Sequence, residues 1–126
     1  MENEAITAYR QRRAAFEATF ERHLAAGVVF YSADGILIDD TVEIAPGAVI
    51  LPGTILRGET KIGAGSVIGP NSLLENVTVG ENVKFNASQG YDSVIESGAA
   101  IGPFAHIRPD SRVCENVHLS LIHISE

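Results

Sequence analysis

Tryptophan is absent from the 126 residues, and three tyrosines and five phenylalanines are the only aromatic side chains. A core built on large rings is excluded, and the interior falls to Ile, Val and Ala. A single cysteine, Cys114, excludes an internal disulfide and fits a reducing cytoplasm. No apolar run is long enough to span a membrane, and the polar start MENEAITAYRQRR lacks the apolar centre of a signal peptide. Positive charge is also scarce. Nine Lys and Arg against sixteen Asp and Glu leave a net charge of −7, which argues against nucleic acid or an anionic membrane as partner. What remains is the composition of a soluble domain, 45% hydrophobic and 20% charged, in a length that holds one such domain.

Residues Asn3 to Ala26 contain neither Gly nor Pro and are rich in Ala, Glu and Arg, which lose little freedom in a helix. Ile6, Tyr9, Phe16, Phe20 and Leu24 recur at helical spacings, so the expected helix buries that stripe, and Gly27 ends it. Arg10, Arg12 and Arg13 form a small basic group that reads as a solvated face rather than an anion site. Apolar Val28 to Tyr31 and a turn-like Ser32 to Gly35 follow.

From Ile38 onward an aliphatic residue returns every six positions: Ile38, Ile44, Ile50, Leu56, Ile62, Ile68 and Leu74. One short unit shifts the phase to Val79 and Phe85. A longer stretch, NASQGYDSV, shifts it again to Ile95, Ile101, Ile107, Val113 and Leu119. Two positions before most of these stands a small or β-branched residue, such as Ala48, Thr54, Thr60, Ser66, Ala99 or Ser111. Three positions after many stands a residue that tolerates positive φ: Gly47, Gly53, Gly65, Asn71, Asn82, Gly98, Asp110 or Asn116.

The three columns imply one shape. Alternate residues of a strand share a face, so the aliphatic residue and the small one before it both point inward. A residue at positive φ turns the corner, and repetition wraps the chain into a three-sided coil. Successive coils stack at the strand spacing of a parallel sheet, about 4.8 Å. The expectation is a parallel β-helix of hexapeptide repeats over residues 28–118, with a helix over 1–27 before it. Thirteen units between Ile38 and His118, counting the irregular ones, predict a little over four coils. NASQGYDS reads as an inserted surface stretch.

Three stretches carry a closer likeness: ERHLAAGVVF; then APGAVILPGTILRGETKIGAGSVIGPNSLLENVTVGENV; then IGPFAHIRP. They resemble the C-terminal half of the bifunctional family that joins glucosamine-1-phosphate acetyltransferase to N-acetylglucosamine-1-phosphate uridyltransferase in UDP-N-acetylglucosamine biosynthesis. The likeness runs from about Arg12 to His118. It implies the hand of the coil, which the residues alone do not give. The fold class is then an all-β solenoid, a left-handed parallel β-helix of about four coils preceded by one N-terminal α-helix. It implies acetyl-CoA as co-substrate of the complete protein, a sugar phosphate as acceptor, a homotrimer and a cytoplasmic location. Arg108 matches the arginine that binds the sugar phosphate, a role suited to a planar guanidinium. Asp110 departs from the glycine usual after Arg-Pro.

The resemblance also sets out what this chain is expected to lack. No Gly-rich nucleotide loop precedes the helix, so no transfer of UMP is expected. The family's lysine, general-base histidine, tyrosine, asparagine and acetyl-CoA groove would follow Val117. The chain as written is therefore expected to hold no catalytic residue and no cofactor site, to be inactive, and to be poorly soluble for want of a cap on its last coil.

The final LSLIHISE, Leu119 to Glu126, breaks the six-residue register: Ile122 falls where a turn belongs, His123 where a small residue belongs, and Ser125 where an aliphatic belongs. The octapeptide also matches the translation of the transposon end used to tag sequencing libraries. The expectation is a non-native tail over 119–126. His118 and His123 have the spacing of a pair that helps bind metal in hexapeptide-type carbonic anhydrases, and Leu56 to Thr60 faintly resembles their LRGD stretch. A catalytic zinc needs a third ligand, which would have to be His106 or a histidine elsewhere, and no metal site is expected. A stand-alone acyltransferase with another acceptor, a metal-dependent hydratase and a non-catalytic trimerisation module are the alternatives. Asn76 and Asn86 match the glycosylation pattern, but read as corner residues.

Overall fold

The computed structural model describes residues 3–120 and the backbone of residues 123 and 124. It opens with α1 (Glu4–Ala25), followed by short strands only. These are β1 (Val29–Phe30), β2 (Leu37–Ile38), β3 (Glu43–Ile44), β4 (Val49–Ile50), β5 (Ile55–Arg57) and β6 (Lys61–Ile62). Next come β7 (Val67–Ile68), β8 (Leu73–Glu75), β9 (Thr78–Val79), β10 (Lys84–Phe85), β11 (Gln89–Tyr91) and β12 (Val94–Ile95). Last are β13 (Ala100–Ile101), β14 (His106–Ile107), β15 (Arg112–Val113), β16 (His118–Leu119) and β17 (His123–Ile124).

Each strand pairs in parallel with the strands three before and three after it. Three sheets result: β1-β4-β7-β10-β13-β16, β2-β5-β8-β11-β14-β17 and β3-β6-β9-β12-β15. This is the expected parallel β-helix with one helix before it. Seventeen described strands at three to a coil make between five and six coils, more than the four expected. NASQGYDS accounts for part of the difference. It is not an insertion, because β11 pairs in register with β8 and β14, placing Gly90 between Leu74 and Ile107.

Gly90 thus fills an aliphatic position with no side chain. The reason lies in Phe85, whose fully buried ring uses the vacant space. A Cβ on Gly90 would stand 3.7 Å from Phe85 Cζ and 3.1 Å from Leu74 Cδ2. A large residue in one column is balanced by the smallest in the next, as close packing requires.

The aliphatic columns are otherwise as read. Ile50, Ile68, Phe85 and Ile101 stack in register on one side, and Ile44, Ile62, Val79, Ile95 and Val113 on another. All are buried. Removing each such side chain from water stabilises by roughly 1.5–3 kcal/mol. The register also continues further than expected. Ile124 aligns with Ile107 and His123 with His106, because the unit after Leu119 has five residues, as the Leu74 to Val79 unit does. The residues at 121, 122, 125 and 126, half of the expected tail, lie outside the described residues.

The small column does more than leave room. Buried Thr60 Oγ1 donates to Arg57 O at 2.8 Å and accepts Val77 N–H at 3.2 Å. Ser66 Oγ donates to Gly80 O and accepts Val83 N–H at 3.0 Å. Ser88 Oγ accepts Ala105 N–H at 3.0 Å. At a corner the ladder is interrupted, and a buried N–H left without a partner is costly. The hydroxyl supplies that partner across coils.

All eight expected corner residues have positive φ. Several glycines there meet a second demand. A Cβ on Gly58 would lie 2.2 Å from Asn76 Oδ1, because the Asn76 amide folds over it and accepts Glu59 N–H at 2.8 Å. Gly53 under Asn71 and Gly98 under Asn116 repeat the arrangement. In the stretch 86–88 the left-handed residue is Ala87, not Asn86.

α1 lies against the first coil. Asn3 caps it by accepting Ile6 N–H at 2.9 Å. Phe20 stacks at 4.4 Å from Phe30, and Phe16 packs against the core. The expected stripe is only partly used: Ile6, Tyr9 and Leu24 are exposed, while Thr19 and His23 are buried. A single coil is too narrow to cover a helix of 22 residues, and it meets the Phe16 to His23 surface.

Asn76→Ala is expected to lower stability by about 1–3 kcal/mol, from one hydrogen bond and left-handed strain. Asn76→Gly should recover part, and chemical denaturation checks both. Gly90→Leu should cost about 1–3 kcal/mol by overpacking. In a double-mutant cycle with Phe85→Ala, the two losses should sum to more than the double mutant's loss.

Candidate functional site

The outer face of the β2-β5-β8-β11-β14-β17 sheet changes character along its length. Its first outward column runs Leu37, Ile55, Leu73, Gln89 and His106, aliphatic in three coils and polar in the next two. The neighbouring column holds Arg57, Glu75 and Tyr91. Arg57 and Glu75 form an ion pair at 3.5 Å, worth at most about 1 kcal/mol between exposed groups. Tyr91 Oη donates to Gln89 Oε1 at 3.2 Å. Its ring meets the half-buried His106 edge-on, 5.6 Å between centroids.

Arg108 follows Ile107 of β14 directly, as Tyr91, the last residue of β11, follows Gly90. Its side chain is exposed. Its backbone carbonyl is held from two sides, by Ser93 Oγ at 2.8 Å and Ser111 Oγ at 2.7 Å. The guanidinium therefore projects from a fixed backbone. Such a group recognises a phosphate by two parallel hydrogen bonds. Nearby, Phe104 is exposed with φ of 65°, and Asp110, at the departure from glycine, has the same φ. An aspartate adopts that conformation more readily than most residues, so the departure is absorbed at its corner.

Among the described side chains, the histidines do not gather. His118 is on the β1-β4-β7-β10-β13-β16 sheet beside Ala100, and His106 is on another sheet. His123 aligns with His106 by its backbone, and its side chain lies outside the description. Among the described residues, no three His, Cys, Asp or Glu side chains are placed to hold a metal ion. Cys114 is exposed and free. Among the described residues, no helix is long and apolar enough to cross a membrane.

The Tyr91–Gln89–His106 group was hidden in the sequence by the reading of NASQGYDS as an insertion. The available signal was spacing: Phe85 to Gly90 and Gly90 to Ile95 are both five residues, like Leu74 to Val79.

Residues 41–76 match the family described as bacterial transferase hexapeptide (six repeats). The chain carries this repeat. Over most of its length it is also similar to a part of longer proteins. The bifunctional protein GlmU of Streptococcus thermophilus (strain CNRZ 1066) is 44% identical over 97 residues, which are 77% of this chain and 21% of that protein. GlmU of Trichormus variabilis is 44% identical over 99 residues, 79% of this chain and 22% of its own length. GlmU of Cyanothece sp. (strain PCC 7425 / ATCC 29141) reaches 50% over 88 residues, 70% of this chain and 19% of that protein. The chain thus spans about a fifth of the length of these GlmU relatives.

Arg108→Ala is expected to leave stability within about 0.5 kcal/mol, as an exposed substitution away from caps and core. Ser93→Ala should cost about 1–3 kcal/mol, because Arg108 O loses one of its donors and Ser111 N–H its acceptor. Thermal unfolding of both variants separates the two.

Proposed function

We propose that this chain is the helix and leading coils of the acetyltransferase half of a GlmU-type protein of UDP-N-acetylglucosamine biosynthesis. The observation that carries the reading is the GlmU identity, 44% over 97 residues that make up 77% of this chain. In the complete protein, acetyl-CoA is the co-substrate and glucosamine-1-phosphate the acceptor. The sugar's neutral amine attacks the thioester carbonyl, the thiol leaves, and a base takes the amine proton. Arg108 binds the phosphate of the sugar phosphate and takes no part in that proton transfer. The base and the acetyl-CoA groove belong to coils beyond this chain, so residues 1–126 alone do not turn over. Residues 1–27 serve as the linker helix, 28–118 as the left-handed β-helix, and 119–126 as a non-native tail.

The complete protein is a homotrimer. Two of the three outer faces supply apolar columns for it: Val29, Val49 and Val67 on one sheet, Leu37, Ile55 and Leu73 on another. The third face carries Glu43, Lys61, Thr78, Val94 and Arg112, polar in all but one place, and suits water. The free thiol of Cys114 fits a cytoplasmic location.

The test is acetyl transfer from acetyl-CoA to glucosamine-1-phosphate. The 126-residue chain should show none. A chimera continuing after His118 into the downstream coils of the Streptococcus thermophilus GlmU should be active and trimeric by light scattering. Arg108→Ala in that chimera should raise KM for the sugar phosphate by about 10–100-fold, the worth of a charge-assisted pair. A folded trimeric chimera without activity, or one indifferent to Arg108→Ala, would sink the reading.

A further inference from the structure

His23 stands in the last turn of α1, buried at 5% exposure where the helix meets the first coil. Among the described residues, its Nε2 is the buried side-chain nitrogen or oxygen without a hydrogen-bond partner. The ring borders a groove of about 420 Å³ between α1 and the chain from Asp40 to Ile44. Three charged residues border that groove with it: Arg22 from α1, and Asp40 and Glu43 from the first coil. Arg22 is fixed there, its Nη2 donating to Asp40 O at 3.2 Å. A neutral ring fits this place at the cost of one unmade hydrogen bond. A charged ring would be buried beside a guanidinium.

We propose that α1 is a pH-released cap, in which protonation of His23 lifts the C-terminal turns of the helix off the first coil and uncovers the apolar end of the β-helix. The apolar contacts beneath those turns are few, chiefly Phe16, Phe20 and Phe30, so local opening needs far less than global unfolding. Burial, and then the charge of Arg22, lower the His23 pKa below its ordinary value of 6.5. Undocked, the ring returns to that ordinary value and binds a proton more readily than when docked. The docked state is therefore at full strength above pH 6.5 and weakens as pH falls from there to the lowered pKa. The opposing charges of Asp40 and Glu43 do not reverse the sign, because burial and Arg22 set its direction.

The test uses the full chain and hydrogen exchange read by NMR, expressed as protection factors between pH 7.5 and 5.5. Protection of the Thr19 to Leu24 amides should fall by up to about tenfold per pH unit below 6.5. Amides of β6 to β13 should hold constant. His23→Leu should flatten the α1 profile. The ring signals of His23 in the unaltered protein supply an independent reading, and should titrate below 6.5. Flat α1 protection, an unchanged slope in His23→Leu, or a ring titrating at or above the ordinary value overturns the proposal. If His23→Leu does not fold, the ring titration and the α1 protection of the unaltered protein decide alone.

Discussion

Everything in this molecule depends on the parallel pairing of each strand with the strands three before and three after it. The strands hold two or three residues, too few to persist alone. Only stacking gives their N–H and C=O groups partners, and only an aligned register keeps the aliphatic side chains on one interior line. Both conditions must hold at every coil. A single displaced unit would turn core residues outward for the rest of the chain.

That constraint explains how the irregular units are tolerated. Units of five residues occur at Leu74 to Val79, Phe85 to Gly90, Gly90 to Ile95 and Leu119 to Ile124, and in each the column survives. A unit shortens at its corner and leaves its strand intact. At Gly90 the volume missing from one column is filled by Phe85 from its neighbour. Hydroxyls of Ser and Thr then join coil to coil where the ladder is broken. Interior, corner and hydrogen-bond spine are thus three answers to one geometric demand.

The ends of such a stack are different in kind from its middle. A middle coil is covered by its neighbours; the first coil is covered by α1. The cap is made of a helix whose own apolar stripe is mismatched to the coil. Thr19 and His23 are buried in it, while Ile6, Tyr9 and Leu24 are left outside. This is where a titratable group entered the interior, and the only part of the described structure in which helix and sheet chemistry meet.

The repeat was legible in the sequence because each residue of a unit meets the same environment in every coil. Position alone therefore settled the columns at Ile38 to Leu74, the corners at Gly47 or Asn116 and the helix from Asn3. Other features depended on the neighbouring coil, and no single unit displays its neighbour. The place of Gly90 required Phe85; the glycine at 58 required the Asn76 amide above it; the face of α1 required the width of the first coil. The grouping of Tyr91, Gln89 and His106 beside Arg108 likewise waited on the register of β11 with β14. Local periodicity determined the architecture of this protein. Its packing and site surroundings were decided by contacts that exist only once the coils have closed and stacked, many of them between residues some sixteen to eighteen positions apart.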